Sequence, residues 1–230
     1  MKKICVMIIM FFYLTVIQPG NALAAPIIVD NGTLQSVNQI AMSIMSSDTD
    51  CILISATPNV LTYNYTPTKG AFDDKLKDLE ALKGKFYYQL VINTVENTQK
   101  KIVVNAAMNV IFTDAPEFGT GSMPIEPDWI KYVLFDIKSA CDGMYVYGFT
   151  YEETAITKVT PGKAFAKAGI EPNSKIISIN GKNATTSVDV LGMRLCPTVT
   201  LVVEKDGKQK TVQLKGEFQT AEEFRASHGI

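Results

Sequence analysis

The chain is 230 residues long, 47% of them apolar and 20% charged. That length suits one large domain or two small ones, and the composition excludes disordered, collagen-like and disulfide-knot classes. With 22 basic and 23 acidic residues the formal charge is −1, so nothing attracts a phosphate backbone, and the single histidine, His228, removes most histidine-based hydrolase chemistry.

Residues 1–24 begin with Lys2 and Lys3, continue through an apolar run from Ile4 to Ile17 broken by Thr15, and end in Pro19-Gly20 and a small-x-small step at Ala22 and Ala24. This is the order of a secretory signal peptide. Its apolar run is shorter than the ~20 residues that span a bilayer. Cleavage near Ala24 and an exported protein, periplasmic or extracellular, are expected, with an uncleaved anchor as the other reading. No membrane span is expected in the mature chain. Export permits disulfides, so a Cys51–Cys141 bridge is one expectation and buried thiols are the other. No C-x-x-C or Cys/His cluster occurs, so no metal or cofactor is expected.

After an extended start at 26–30, Leu34, Val37, Ile40, Ala41 and Ile44 recur at helical spacing behind Thr33, a suitable N-cap. Cys51 to Ala56 and Val60 to Thr66 predict two strands parted by Thr57-Pro58-Asn59. Asp73 and Asp74 open a second helix through Leu76, Leu79 and Leu82. Phe86 to Val95 and Lys101 to Phe112 predict a long hairpin, and 114–127, with three prolines and two glycines, reads as loop. A third helix carries Ile130, Val133, Leu134, Ile137 and Ala140 on one face; Trp129, Tyr132 and Phe135 are most simply packing residues. The expectation for 26–142 is an α+β domain, an antiparallel sheet with helices on one face.

From Met144 the pattern changes. Val159-Thr160-Pro161-Gly162 leads into Ala164-Phe165-Ala166-Lys167-Ala168-Gly169-Ile170, and Ile176-Ile177-Ser178-Ile179 leads into Asn180-Gly181-Lys182. Asn180-Gly181 and Asp206-Gly207 are two-residue hairpin signals, between strands at 174–180, 198–204 and 209–215; Ser187 to Leu195 supplies a helix. Residues 144–216 resemble a bacterial PDZ domain, and 217–230 read as a tail. The resemblance implies a PDZ-like small β-barrel or sandwich with two helices. It also implies an extended peptide or protein carboxyl terminus added to a sheet edge. The terminal carboxylate would rest on amides of the Tyr147-Gly148-Phe149 step and the last side chain among Phe149, Val188 and Leu191, with Thr150 a further peptide-binding residue. The same residues also fit a plain small-sheet core, with Gly148 marking a bulge.

Relatives carrying such modules are often serine proteases, but Gly119-Thr120-Gly121-Ser122 is not a nucleophile elbow. No phosphate loop, dinucleotide fingerprint or calcium loop occurs. The function expected from sequence is therefore an exported, non-enzymatic adaptor or scaffold that binds peptides, with no catalytic residue. Two alternatives stand beside it. One is a regulated envelope enzyme with a carboxylate-based site near 114–127. The other is a structural protein dimerising through the hairpin from Phe86 to Phe112. The sequence leaves the oligomeric state open.

Overall fold

The computed structural model describes residues 25–66, 86–115, 119–125 and 128–230; the signal-peptide expectation and the helix expected from Asp73 lie outside them. The first half is built on one antiparallel sheet of β1 (Ile27–Val29), β2 (Cys51–Ala56), β3 (Val60–Tyr65), β4 (Phe86–Glu96), β5 (Ile102–Ala115) and β6 (Gly119–Ile125). Its order is β1-β5-β4-β3-β2, with β6 also on β5. The period of two decides which face is buried: Tyr88, Leu90 and Ile92 lie beside Val110, Met108 and Ala106 on one side and Tyr65, Tyr63 and Leu61 on the other. Two helices cover that face, α1 (Leu34–Ser46) with Val37, Ala41 and Met45 and α2 (Trp129–Asp142) with Ile130, Leu134 and Ile137. Thr33 caps α1 reciprocally with Ser36.

The loop expected over 114–127 is corrected by β6. It runs along β5 from Met108↔Ile125 to Phe112↔Gly121, and among the described residues it pairs with no other strand. An edge strand tolerates Pro124, which cannot donate to a ladder. The same pairing sets aside the hairpin as a strand-to-strand dimer edge, because β4 and β5 are both flanked on either side.

The expected Cys51–Cys141 bridge is corrected too, since both are free thiols. Cys51 Sγ donates to Asp48 Oδ2 at 3.9 Å, and Cys141 is buried on α2. Burial first, then nearby carboxylates, pushes each thiol up to about 12, which favours the protonated form.

The second sheet has the order β13-β12-β10-β9-β8, with β11 on β10. Its strands are β8 (Phe149–Glu152), β9 (Ala155–Val159), β10 (Lys175–Ile179), β11 (Lys182–Asn183), β12 (Thr198–Lys205) and β13 (Lys208–Lys215). The turn signals hold: Asn180-Gly181 and Asp206-Gly207 both place two successive residues at positive φ. Helix α3 (Ala164–Lys167) and helix α4 (Ser187–Leu191), continued as a 3-10 turn over Gly192–Leu195, pack on this sheet with Phe165, Val190 and Met193 in its core.

The sheet is open, so the barrel expectation is corrected. β7 (Met144–Val146), which precedes β8, pairs instead with β14 (Glu217–Gln219) in a separate ribbon. Nor is 217–230 a loose tail. After β14, helix α5 (Ala221–His228) is capped by a Thr220–Glu223 box, buries Phe224 against Ala140 and Met144, and anchors Arg225 Nη1 on Ala140 O at 2.5 Å.

Candidate functional site

The edge of the second sheet begins at Gly148. Its φ is +78°, and a Cβ there would lie 2.1 Å from Lys163 Cβ, so no other residue fits without moving the 160–163 turn. The turn is stitched to it: Thr160 N donates to Gly148 O at 2.8 Å and Phe165 N to Tyr147 O at 3.3 Å. Both carbonyls are thereby used inward. The N–H groups of Tyr147 and Gly148, by contrast, donate to no acceptor among the described residues.

Tyr147 and Gly148 line a cavity of about 200 Å³ together with Phe149, Tyr151, Thr160, Val190, Met193 and Arg194, among others. Three of the six residues expected from sequence therefore meet there. Tyr147 contributes backbone, because its ring is core and its hydroxyl donates to Cys196 O at 2.6 Å; burial pushes that hydroxyl up to about 12, keeping it neutral. Phe149 stacks on Phe165 at 3.9 Å between centroids. Thr150 stands exposed on the other side, its hydroxyl 2.9 Å from that of Thr157. Val188 is half-buried and Leu191 fully buried, and neither lines the cavity. The helix presents Val190 instead, and the tighter 3-10 turn that follows brings Met193 and Arg194 round to the same space.

Arg194 carries the charge of the site. It is half-buried, lines the cavity, and has no hydrogen bond or ion pair among the described residues. The Tyr151 hydroxyl is raised by burial, with Arg194 opposing; Asp136 on α2 is likewise raised by burial and opposed by Arg194, then His228. Backbone donors without a partner and an unpaired guanidinium around one small cavity that also has aromatic and aliphatic lining make a place for a carboxylate attached to an apolar side chain. Among the described residues no group of three or more histidine, cysteine or carboxylate side chains is placed to hold a metal ion. Asp30 and Asp142, from the half where a carboxylate site was the alternative expectation, are joined through Lys138, and Asp142 also holds the Asp30 and Asn31 amides.

No family model matches the chain. It is 35% identical over 86 residues to a protein of Mesorhizobium japonicum described as a candidate zinc metalloprotease, covering 36% of this chain and 22% of that one. It is 34% identical over 71 residues to proteins of Brucella suis and Brucella melitensis with the same description, covering 30% of this chain and 19% of each. The chain thus spans about a fifth of the length of these curated relatives. Among solved structures it is similar to an HtrA-type protease bound to a decapeptide (10% identity, 69% of this chain and 56% of that one, TM-score 0.34). It is also similar to a serine endoprotease of Yersinia pestis (12%, 82% and 98%, TM-score 0.31). Scores at that level carry no argument about fold or function. The curated relatives overturn the expectation of a non-enzymatic adaptor, and with it the reading that the chain is not an enzyme: each is described as a protease.

Proposed function

We propose that the chain works in proteolysis, and that its carboxyl-terminal half is a PDZ-type unit that receives an extended polypeptide. The peptide adds as a strand to the edge of β8, and its terminal carboxylate rests on the amides of Tyr147 and Gly148 beside Arg194. One observation carries this: Tyr147, Gly148 and Arg194 line one cavity, and neither the two amides nor the guanidinium has a hydrogen-bond partner among the described residues. The curated relatives supply the proteolytic context. With one histidine and no H-E-x-x-H in the sequence, these 230 residues do not by themselves supply a two-histidine zinc site. The part of this groove in cleavage is to hold the chain being cut. Residues 1–24 would place this work outside the cytoplasm, which amino-terminal sequencing of the native protein tests.

The recognition reading is tested by titrating the full chain with decapeptides ending in Val, Leu or Phe, free or amidated. Free peptides should bind at least tenfold more tightly. Equal affinity of the two forms, or binding by neither, defeats the carboxylate site.

A further inference from the structure

The sheet of the first half has two faces, and α1 and α2 cover one of them. On the other, Val91 stands opposite Ala107, Val95 opposite Val103 and Tyr87 opposite Ile111, and none of these six belongs to the core that the helices close. Two rows of amides cross this outer face. Asn64, Gln89 and Asn109 lie side by side on β3, β4 and β5, and Asn93 lies beside Asn105 four residues further along β4. All five are half-buried, and none has a side-chain hydrogen bond among the described residues. Val91 and Ala107 separate the rows. Both ends of the face are apolar: Val95 (50% exposed), Val103 and Ile28 (47%) at one, Tyr87 (38%) and Ile111 at the other. From Tyr87 to Val95, no outward position on β3, β4 or β5 holds a charged residue.

We infer that a second copy of this chain docks on this face, sheet against sheet. The surface is complementary to itself. Each amide both donates and accepts, and without charges a copy meets no repulsion. A two-fold axis lying across the strands at Val91 and Ala107 sets each amide row on the partner's other row and each apolar end on the partner's opposite end, which is an isologous contact that closes at two subunits. The size also fits. Five strands abreast at ~4.8 Å, with the stretch from Tyr87 to Val95 at ~3.4 Å per residue, give roughly 700 Å² in plan, near the ~800 Å² that each partner gives to a standard interface. Two sheets packed about 10 Å apart would let the outward side chains interdigitate and give the unpartnered amides each other. The inference stands apart from the peptide site.

Sedimentation equilibrium of the full chain at tens of micromolar should give twice the mass of one chain. Val91→Glu puts two like charges face to face at the axis and should weaken association at least tenfold, whereas Val91→Thr, of the same shape, should leave it within about threefold. Circular dichroism establishes that each variant is folded. Should Val91→Glu fail to fold, Val95→Glu, at a half-exposed position, takes its place with the same expectation. A wild-type chain of single mass overturns the inference, because the face then has another occupant or none. A dimer that folded Val91→Glu or Val95→Glu leaves intact overturns it as well, because the two copies then meet elsewhere.

Discussion

Gly148 and Gly162 have nearly the same backbone, with φ of +78° and +76°, but different surroundings. Alanine at either site meets the left-handed penalty of roughly 1–2 kcal/mol. At Gly162 nothing lies within 4 Å of the new Cβ, so that penalty is the whole effect. At Gly148 the Cβ would sit 2.1 Å from Lys163 Cβ and 2.6 Å from its Cγ. Lys163 Cβ is fixed to the backbone, so the 160–163 turn must retreat by more than an ångström. The Thr160-to-Gly148 bond, about 1 kcal/mol net, then weakens, and packing around Phe165 loosens. Gly148→Ala should therefore cost about 2–3 kcal/mol more than Gly162→Ala, on the scale of overpacked cores. Urea unfolding of both variants, compared at equal m-value, measures the difference. A gap under about 0.5 kcal/mol would show that the turn yields freely and that Gly148 is not needed to shape the edge.

Asp142 accepts the Asp30 amide at 2.9 Å, the Asn31 amide at 2.8 Å and the Lys138 ammonium at 2.7 Å, so Asp142→Ala should lose about 2–4 kcal/mol in chemical unfolding and free β1 for faster exchange. Asp30 is held below its ordinary value, by Lys101 first; its contribution is present above the unfolded value near 3.8 and fades as pH falls through the lower folded one, so Lys101→Ala should flatten the acid side of a stability profile. Cys51 and Cys141, raised by burial from 9.0 to about 12, hold their protons longer folded than unfolded. Stability should decline as pH rises from about 9 towards 12, and both thiols should resist alkylation at pH 8 until the chain unfolds. Prompt labelling of either in the native protein contradicts their burial.

Local signals wrote most of the first sheet and its helices into the sequence. Thr33 with its apolar stripe, the alternation through 86–112, Asn180-Gly181 and Asp206-Gly207 each act within a few residues. β6 was hidden because its proline and two glycines read as loop, while pairing with β5 overrode that preference. Helix α5 did announce itself, in Thr220-Ala221-Glu222-Glu223 and a following Gly229, but its burial depends on Ala140 and Met144, some eighty residues away. The groove was half legible. Tyr147-Gly148-Phe149 carries a local backbone requirement, whereas Arg194 enters through a 3-10 turn that no hydrophobic period marks. Nothing in the sequence places α2 against α4, since helix packing across the two halves is a tertiary fact.

Arg194 offers the most direct measurement of the recognition account. Affinities of wild type and Arg194→Ala for the same peptide, with free and amidated ends, form a cycle that isolates the guanidinium–carboxylate coupling. The account requires Arg194→Ala to weaken the free peptide about tenfold or more and to leave the amidated one within about twofold. An equal loss for both forms would mean that Arg194 only shapes the groove, and the carboxylate site would have to be abandoned.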